Sequence, residues 1–205
     1  MAATAGCAYP AKTIVGKNDA QGAVQVAPSI VELPPRVGSF QAPNQIREFD
    51  RDFVLASSSQ NGGRFLFEYV SANETVDNWK TMISVVYAKG QSPSPLQWGK
   101  TFSMSAARDT PHYSVWATKD NGYAKVIYEP NGQFPGYEVD AFRTYHLSAC
   151  KGLVALQYAI RPDMADANDN DPKAKHEVLL KLAAQSKELA DRIRDSAWVP
   201  DCSRK

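Results

Sequence analysis

At 205 residues the chain is sized for one domain with an appendage, and it is long enough to bury a substantial core. Its 23 lysines and arginines stand against 22 acidic residues, interspersed along the chain, so there is no electrostatic footprint for nucleic acid or an anionic membrane. No run approaches the roughly 18 apolar residues of a membrane-spanning helix, so any membrane contact would have to come from elsewhere.

The opening "MAATAGCAYP" lacks the apolar stretch of a secretory signal. Small residues before Cys7 nevertheless resemble the end of a lipoprotein cleavage site, although position 4 is Thr and the apolar run is absent. An ordinary start and a lipid attachment at Cys7 both remain open. Residues 1–44 carry Tyr9 and Phe40 as their only aromatics and are punctuated by Pro10, Pro28, Pro34, Pro35 and Pro43. Such a segment buries too little to offset its ordering entropy alone. It reads as an extended N-terminal arm, either a disordered leader or an element that docks on a partner. Ile30, Val31, Leu33, Val37 and Phe40 are its candidate contacts.

From Ile46 the strand signals begin. "REFDRDFVLASSSQ" alternates through Phe49, Phe53 and Leu55, and "NGG" (Asn61 to Gly63) suits a tight hairpin returning as "RFLFEYV". In "ETVDNWKTMISVVYAKG" the spacing of Val76 and Trp79 predicts a helical turn started by Thr75, with Trp79 as a core plug. After Lys80 the period becomes two and both faces are largely apolar, which predicts a central strand.

Ser94-Pro95 opens a predicted helix through Leu96, Trp98, Phe102 and Met104 to about Ala107. "HYSVWATK", the turn at Asp120 to Gly122 and "YAKVIYEP" form a second hairpin. "YEVDAFRTYHLSA", a turn near Cys150 and "LVALQYAIRP" form a third. A last helix starts at Asp171-Pro172, with Leu179, Leu182, Leu189, Ile193 and Ala197 as its apolar stripe. About six to seven strands in hairpins with two or three helices predict an α+β fold with a mainly antiparallel sheet over residues 45–205.

Three cysteines leave the connectivity open. The strand after Cys150 runs away for about 8 residues at about 3.3 Å each. A helix of about 26 residues at about 1.5 Å each returns about 39 Å. Cys202 is thereby brought back toward Cys150, so a Cys150–Cys202 disulfide is one expectation and two free thiols the other. No Cys or His pair has metal-ligand spacing, and no cofactor is expected.

The chemical motifs are weak. Ser148 to Lys151 fits S-x-x-K, but no S-D-N or K-T-G follows. His112, His146 and His176 have no nucleophile elbow to serve. Asp166, Asn168, Asn170 and Glu177 fall at calcium-loop spacing, yet the position that needs glycine is Asp171, whose simpler role is a helix cap. Asn73-Glu74-Thr75 is a glycosylation pattern that matters only in a eukaryotic secretory host. Both phosphate-binding glycine motifs are absent.

With "DNW" (Asp77 to Trp79) before a strand and "KGLVALQYAIRP" before a terminal amphipathic helix, residues from about Ile46 to Trp198 resemble small exported bacterial proteins of the Mog1/PsbP-like type. The resemblance implies an antiparallel sheet flanked by helices and a non-catalytic assembly or binding role. The matching residues are structural, so no functional residue carries over, and fold alone leaves function open. Together these features lead to the expectation of a non-enzymatic, exported bacterial protein, periplasmic or associated with the outer membrane. It would be a subunit of a larger assembly of envelope proteins such as a secretion or conjugation apparatus. A stand-alone module of the immunity-protein or small-ligand-binding kind, using loops such as Phe134 to Gly136, is the alternative. An unrecognised hydrolase is the third.

Overall fold

The structure, a computed structural model, describes residues 36–131, 135–163 and 171–202. A two-stranded hairpin, β1 (Arg36–Val37) and β2 (Phe40–Gln41), precedes β3 (Gln45–Glu48), β4 (Arg51–Asn61), β5 (Arg64–Val70) and β6 (Thr81–Lys89). Helix α1 (Pro95–Asp109) leads to β7 (Tyr113–Ala117), β8 (Gly122–Tyr128), β9 (Glu138–Tyr145) and β10 (Gly152–Ile160), and α2 (Pro172–Asp195) closes the fold. β3 to β10 make one eight-stranded antiparallel sheet, ordered β3-β4-β5-β6-β10-β9-β8-β7. The fold is α+β, as the sequence predicts, with helices on both faces.

Strand parity separates those faces. On one, Phe67, Tyr69, Ile83, Val85, Tyr87, Val139, Ala141, Val154, Leu156 and Tyr158 join Leu182, Leu189 and Ile193 of α2 in a single core. On the other, α1 packs Trp98 and Phe102 against Ala124, Val126 and Phe142, while Trp79, Val70, Met82 and Ala159 form a separate small cluster. A row of polar residues lies between those two clusters. The register places Glu68, Ser84 and Gln157 side by side, with Asp140 beside Ala159 in the next row.

The predicted helix starts hold. Ser94 accepts from Gln97 N while the Gln97 side chain accepts from Ser94 N, a reciprocal cap that satisfies two free amides, with Pro95 as the first helical residue. Asp171 caps α2 by accepting from Lys173 N. The expected stripe of α1 is corrected: Leu96 and Met104 are exposed, and Trp98, Gly99, Phe102 and Ala106 face the sheet. The stripe of α2 stops short of Ala197, because the helix ends at Asp195 and Ala197 is exposed.

Three further expectations are corrected. Residues 74–79 form a turn and no helix. Thr75 and Asn78 exchange backbone bonds of 3.2 and 3.1 Å, and the Thr75 hydroxyl accepts from Asn78 N as a cap would. Trp79 is the plug expected, 7% exposed, with the Arg161 guanidinium 3.8 Å from its ring centroid. The single strand read through Phe49 is two strands, β3 and β4, joined at Phe49-Asp50, whose φ angles are 54° and 61°. Both central residues of such a turn need positive φ, which usually selects Asn-Gly, and a Phe there is strained.

The third correction concerns the arm. Phe40 is 0% exposed, with its ring 5.3 Å from Tyr87 and 5.7 Å from Phe67. Val37 packs against the same core. Phe40 is not free to dock on a partner, because burying it on the sheet removes its apolar surface from water within the chain itself, while Val37 is half-buried beside it. The folded body therefore begins before residue 44, at Arg36 in the described residues. Cys7, Ile30, Val31 and Leu33 lie outside the described residues.

Candidate functional site

The root of the arm is held by a clamp of interactions from distant parts of the chain. Cys150 and Cys202 are joined, with sulfurs 2.02 Å and Cα atoms 4.8 Å apart across 52 positions of sequence. The Cys150 carbonyl accepts from the Ser39 hydroxyl at 2.5 Å and the Tyr87 hydroxyl at 2.8 Å. Gln41 N donates to Asp201 O at 2.9 Å. The turn after β9, the C-terminal tail and the β1–β2 hairpin thus meet at one point. The close approach depends on Gly152: a Cβ there would stand 2.5 Å from Ala88 O and 2.7 Å from Tyr87 Cε2. The cysteine pair was legible from element lengths. The hairpin was not, because two-residue strands leave no periodic signal.

A second feature lies at the far end of α2. An open cleft of about 400 Å³ is lined by Glu48, Phe49, Glu188, Asp191, Arg192, Asp195, Ser196 and Ala197. Phe49 of the strained Phe49-Asp50 turn is part of its wall and packs edge-on against Tyr158 at 4.5 Å. Buried Glu48 accepts from the Ser196 hydroxyl at 2.5 Å and from Trp198 N at 3.2 Å. The lining is net acidic, but Glu188 pairs with Arg192, and Asp191 with Lys187 and Arg194. Exposed pairs of this kind are individually weak. The Ser196 hydroxyl in the lining is already bonded to Glu48, and the lining has no assembled acid, base and nucleophile.

The third feature is the polar seam on the α1 face. Asp140 is 1% exposed and accepts from Gln157 Nε2 at 2.7 Å through Oδ2, while Oδ1 meets no described partner. Burial, reinforced by the charge of Glu138, pushes its carboxyl well above the usual range. Burial also raises Glu138, opposed by Arg161, whose Nε lies 3.2 Å from Glu138 Oε2. Nothing in the alternation of β9 announces this pair, since an Asp in a strand with apolar neighbours reads equally well as an edge residue.

The histidines stand apart. His112 Nε2 is 2.9 Å from Glu129, whose carboxyl is held below its usual range mainly by Lys175. His146 Nε2 is 2.9 Å from the Thr144 hydroxyl, and burial lowers its pKa. That hydroxyl is fully buried and already bonded to Gly122 N at 2.8 Å, so it has no path to a substrate. His176 is exposed on α2. Ser148 begins a single 3₁₀ turn that ends at Lys151 with φ 47°, so S-x-x-K is not on a helix that would set the lysine beside the serine. Of the calcium-loop residues, Asp171 is the α2 cap and Glu177 is exposed, while Asp166, Asn168 and Asn170 lie outside the described residues, as does Phe134. Among the described residues no three His, Cys, Asp or Glu side chains gather as a metal site needs, and no helix is long and apolar enough to cross a membrane.

A protein-family model matches residues 40–198, beginning at the buried Phe40 and ending at Trp198. An uncharacterized protein of Haemophilus influenzae is 23% identical over 134 residues, 60% of this chain and 68% of that protein. Among solved structures the chain is similar to a point mutant of protein Mog1, at 12% identity and a TM-score of 0.37, covering 66% of this chain and 84% of that one. It is also similar to the Saccharomyces cerevisiae Ran-binding protein Mog1p, at 14% identity and a TM-score of 0.37, covering 66% and 83%. The weak Mog1-like resemblance read from the sequence recurs in these two structures.

Proposed function

The chain belongs to the family matched over residues 40–198, and we propose that it is a non-catalytic, exported protein of the bacterial envelope. In this reading it is periplasmic or associated with the outer membrane. It serves as a subunit of a larger assembly such as a secretion or conjugation apparatus, docking on other envelope proteins through residues 1–35. The observation that carries the reading is the clamp at the arm's root. A disulfide between a 0% exposed Cys150 and a 6% exposed Cys202 suits an oxidising compartment, because cytosolic reductants keep thiols reduced. It also fixes where the arm leaves the body. Cys7 is the remaining cysteine and the candidate lipid attachment.

The test is affinity purification from gently solubilised envelopes, comparing the full chain with one beginning at Arg36, which keeps Phe40 in the core. A defined set of envelope proteins following only the full chain is the expected result. Recovery of nothing by either version, with the protein found reduced and cytosolic, overturns the proposal. The open cleft beside α2 favours a second reading, a stand-alone binding module. Recovery of one and the same partner by both versions would put that reading first.

A further inference from the structure

The sheet has two edges, and they are guarded unequally. β3 is only four residues long and carries Arg47, paired with Asp52 at 3.3 Å. The part of β4 that extends beyond β3 has a register shift between Leu55 and Ser57 and continues as Ser58, Ser59 and Gln60, all polar and exposed. Short length, charge and bulges are the devices that keep an edge from pairing with another chain. β7, at the opposite edge, is nearly as short at five residues but lacks the other two: Tyr113-Ser114-Val115-Trp116-Ala117 contains no charge, no proline and no register shift.

The hydrogen-bond phase of this edge can be read directly. Ile127 N donates to His112 O and Thr118 N to Asn121 O, each at 2.8 Å. In the register Tyr113↔Val126 to Ala117↔Gly122, those bonds make Ser114 and Trp116 the residues bonded to β8. Tyr113, Val115 and Ala117 therefore turn their N–H and C=O groups outward, and no described residue pairs with them. Apolar surface flanks this row on both sides. Leu96 is 76% exposed and lies three residues before Gly99, on the side of α1 that meets Val115. On the opposite face the Trp116 ring is part-buried and stacked on Tyr123 at 5.5 Å.

We propose that the outer edge of β7 accepts residues Ser29–Leu33 of a second copy of this chain as an added strand. The inference rests on the reading of the arm as a docking element and adds a second copy of this chain to the envelope proteins as a partner of the arm. Ser29-Ile30-Val31-Glu32-Leu33 is a short β-branched and apolar run bounded by Pro28 and Pro34, the composition of a strand. Main-chain bonds to the outward groups of β7 supply affinity, and alternate side chains reach the Leu96 and Trp116 surfaces. Reach decides between the same copy and another. The arm's root stands over β5 and β6, where Phe40 stacks on Tyr87. A strand added beyond β7 lies five strand spacings from β6, about 24 Å. From Leu33 to Arg36 the extended chain covers at most about 11 Å. The donor is therefore a second molecule.

The test uses the purified full chain and a Val31→Asp variant, which leaves the described body untouched. Light scattering reads the mass, and amide hydrogen exchange reads Tyr113, Val115 and Ala117. Expected are a full chain that self-associates with these amides protected, and a variant that is monomeric with protection lower by at least about tenfold. Val115→Pro, which removes an outward N–H and no bond to β8, gives the same loss from the acceptor side. A monomeric full chain with freely exchanging edge amides overturns the inference. So does self-association that survives Val31→Asp, or edge protection in a monomer. A monomer that still recovers envelope proteins would sink this inference and leave the proposed function standing.

Discussion

The two faces of the sheet are built on different plans. The α2 face is one continuous core that takes in both ends of the body, from Phe40 to Cys202, and is closed by a disulfide. The α1 face is divided, with Trp98 and Phe102 in one cluster, Trp79 in another, and Glu68, Ser84, Gln157 and Asp140 between them. A continuous apolar face gains from every added contact, whereas a divided one bears the desolvation cost of the polar groups that divide it. Stability should therefore reside on the α2 face, and sensitivity to pH on the other.

The sharpest way to break that comparison is to empty the α2 face at the arm's root. Phe40→Ala removes a fully buried ring lodged between Tyr87 and Phe67. The loss should lie toward the upper end of about 3–5 kcal/mol, measured by denaturant unfolding. Full stability in this variant would return Phe40 to the arm and undo the boundary at Arg36. Replacing Cys150 and Cys202 together with alanine comes next. A bridge across 52 positions is worth about 4 kcal/mol in the chain-entropy account. Its removal should also raise exchange at the Gln41 amide, which pairs with Asp201 next to Cys202. On the divided face, Trp79→Ala should cost less, nearer about 3 kcal/mol, because its cluster is small and the ring is already open to Arg161. A larger loss there than at Phe40 would reverse the ranking of the faces.

How much of this was legible in the sequence follows from which signals are periodic. The β6 run, the hairpin at Gly62 with φ 59°, and the caps at Ser94 and Asp171 carry their own local signatures and fold as those signatures say. The Phe49-Asp50 turn lacks one. Its positive φ angles are imposed by Phe49 packing on Tyr158, a residue more than a hundred positions away, so the alternation reads straight through the turn. The same holds for Phe40, whose burial depends on Tyr87 and Phe67 and on no pattern in its own neighbourhood. The cysteine pairing could be reasoned from element lengths because a long helix returns the chain over a known distance. The cleft and the Asp140 seam could not, since each is assembled from cross-strand or cross-element neighbours. The same limit explains why the sequence could point to an arm but not to the edge proposed to receive it: the phase of β7's hydrogen bonds exists only once β8 is in register.

The smallest effect is also the one that isolates the divided face. Asp140→Asn keeps an acceptor for Gln157 and removes the ionisable group. The folded carboxyl titrates well above its unfolded value because burial disfavours the charge and Glu138 adds to it. Below about pH 4 both folded and unfolded forms of the parent carry the proton, and the substitution should change little. As pH rises past that point the unfolded state releases its proton while the folded state retains it, so the parent loses stability until its folded value is passed. The variant escapes that loss. Its melting temperature should exceed the parent's at pH 8 and match it near pH 4. Glu138, also raised by burial, remains in both proteins, so the pH slope should shrink without vanishing. A variant less stable than the parent at every pH would mean that the Asp140 carboxyl has a partner its geometry does not reveal, and that the seam is a satisfied network instead of a cost the other face offsets.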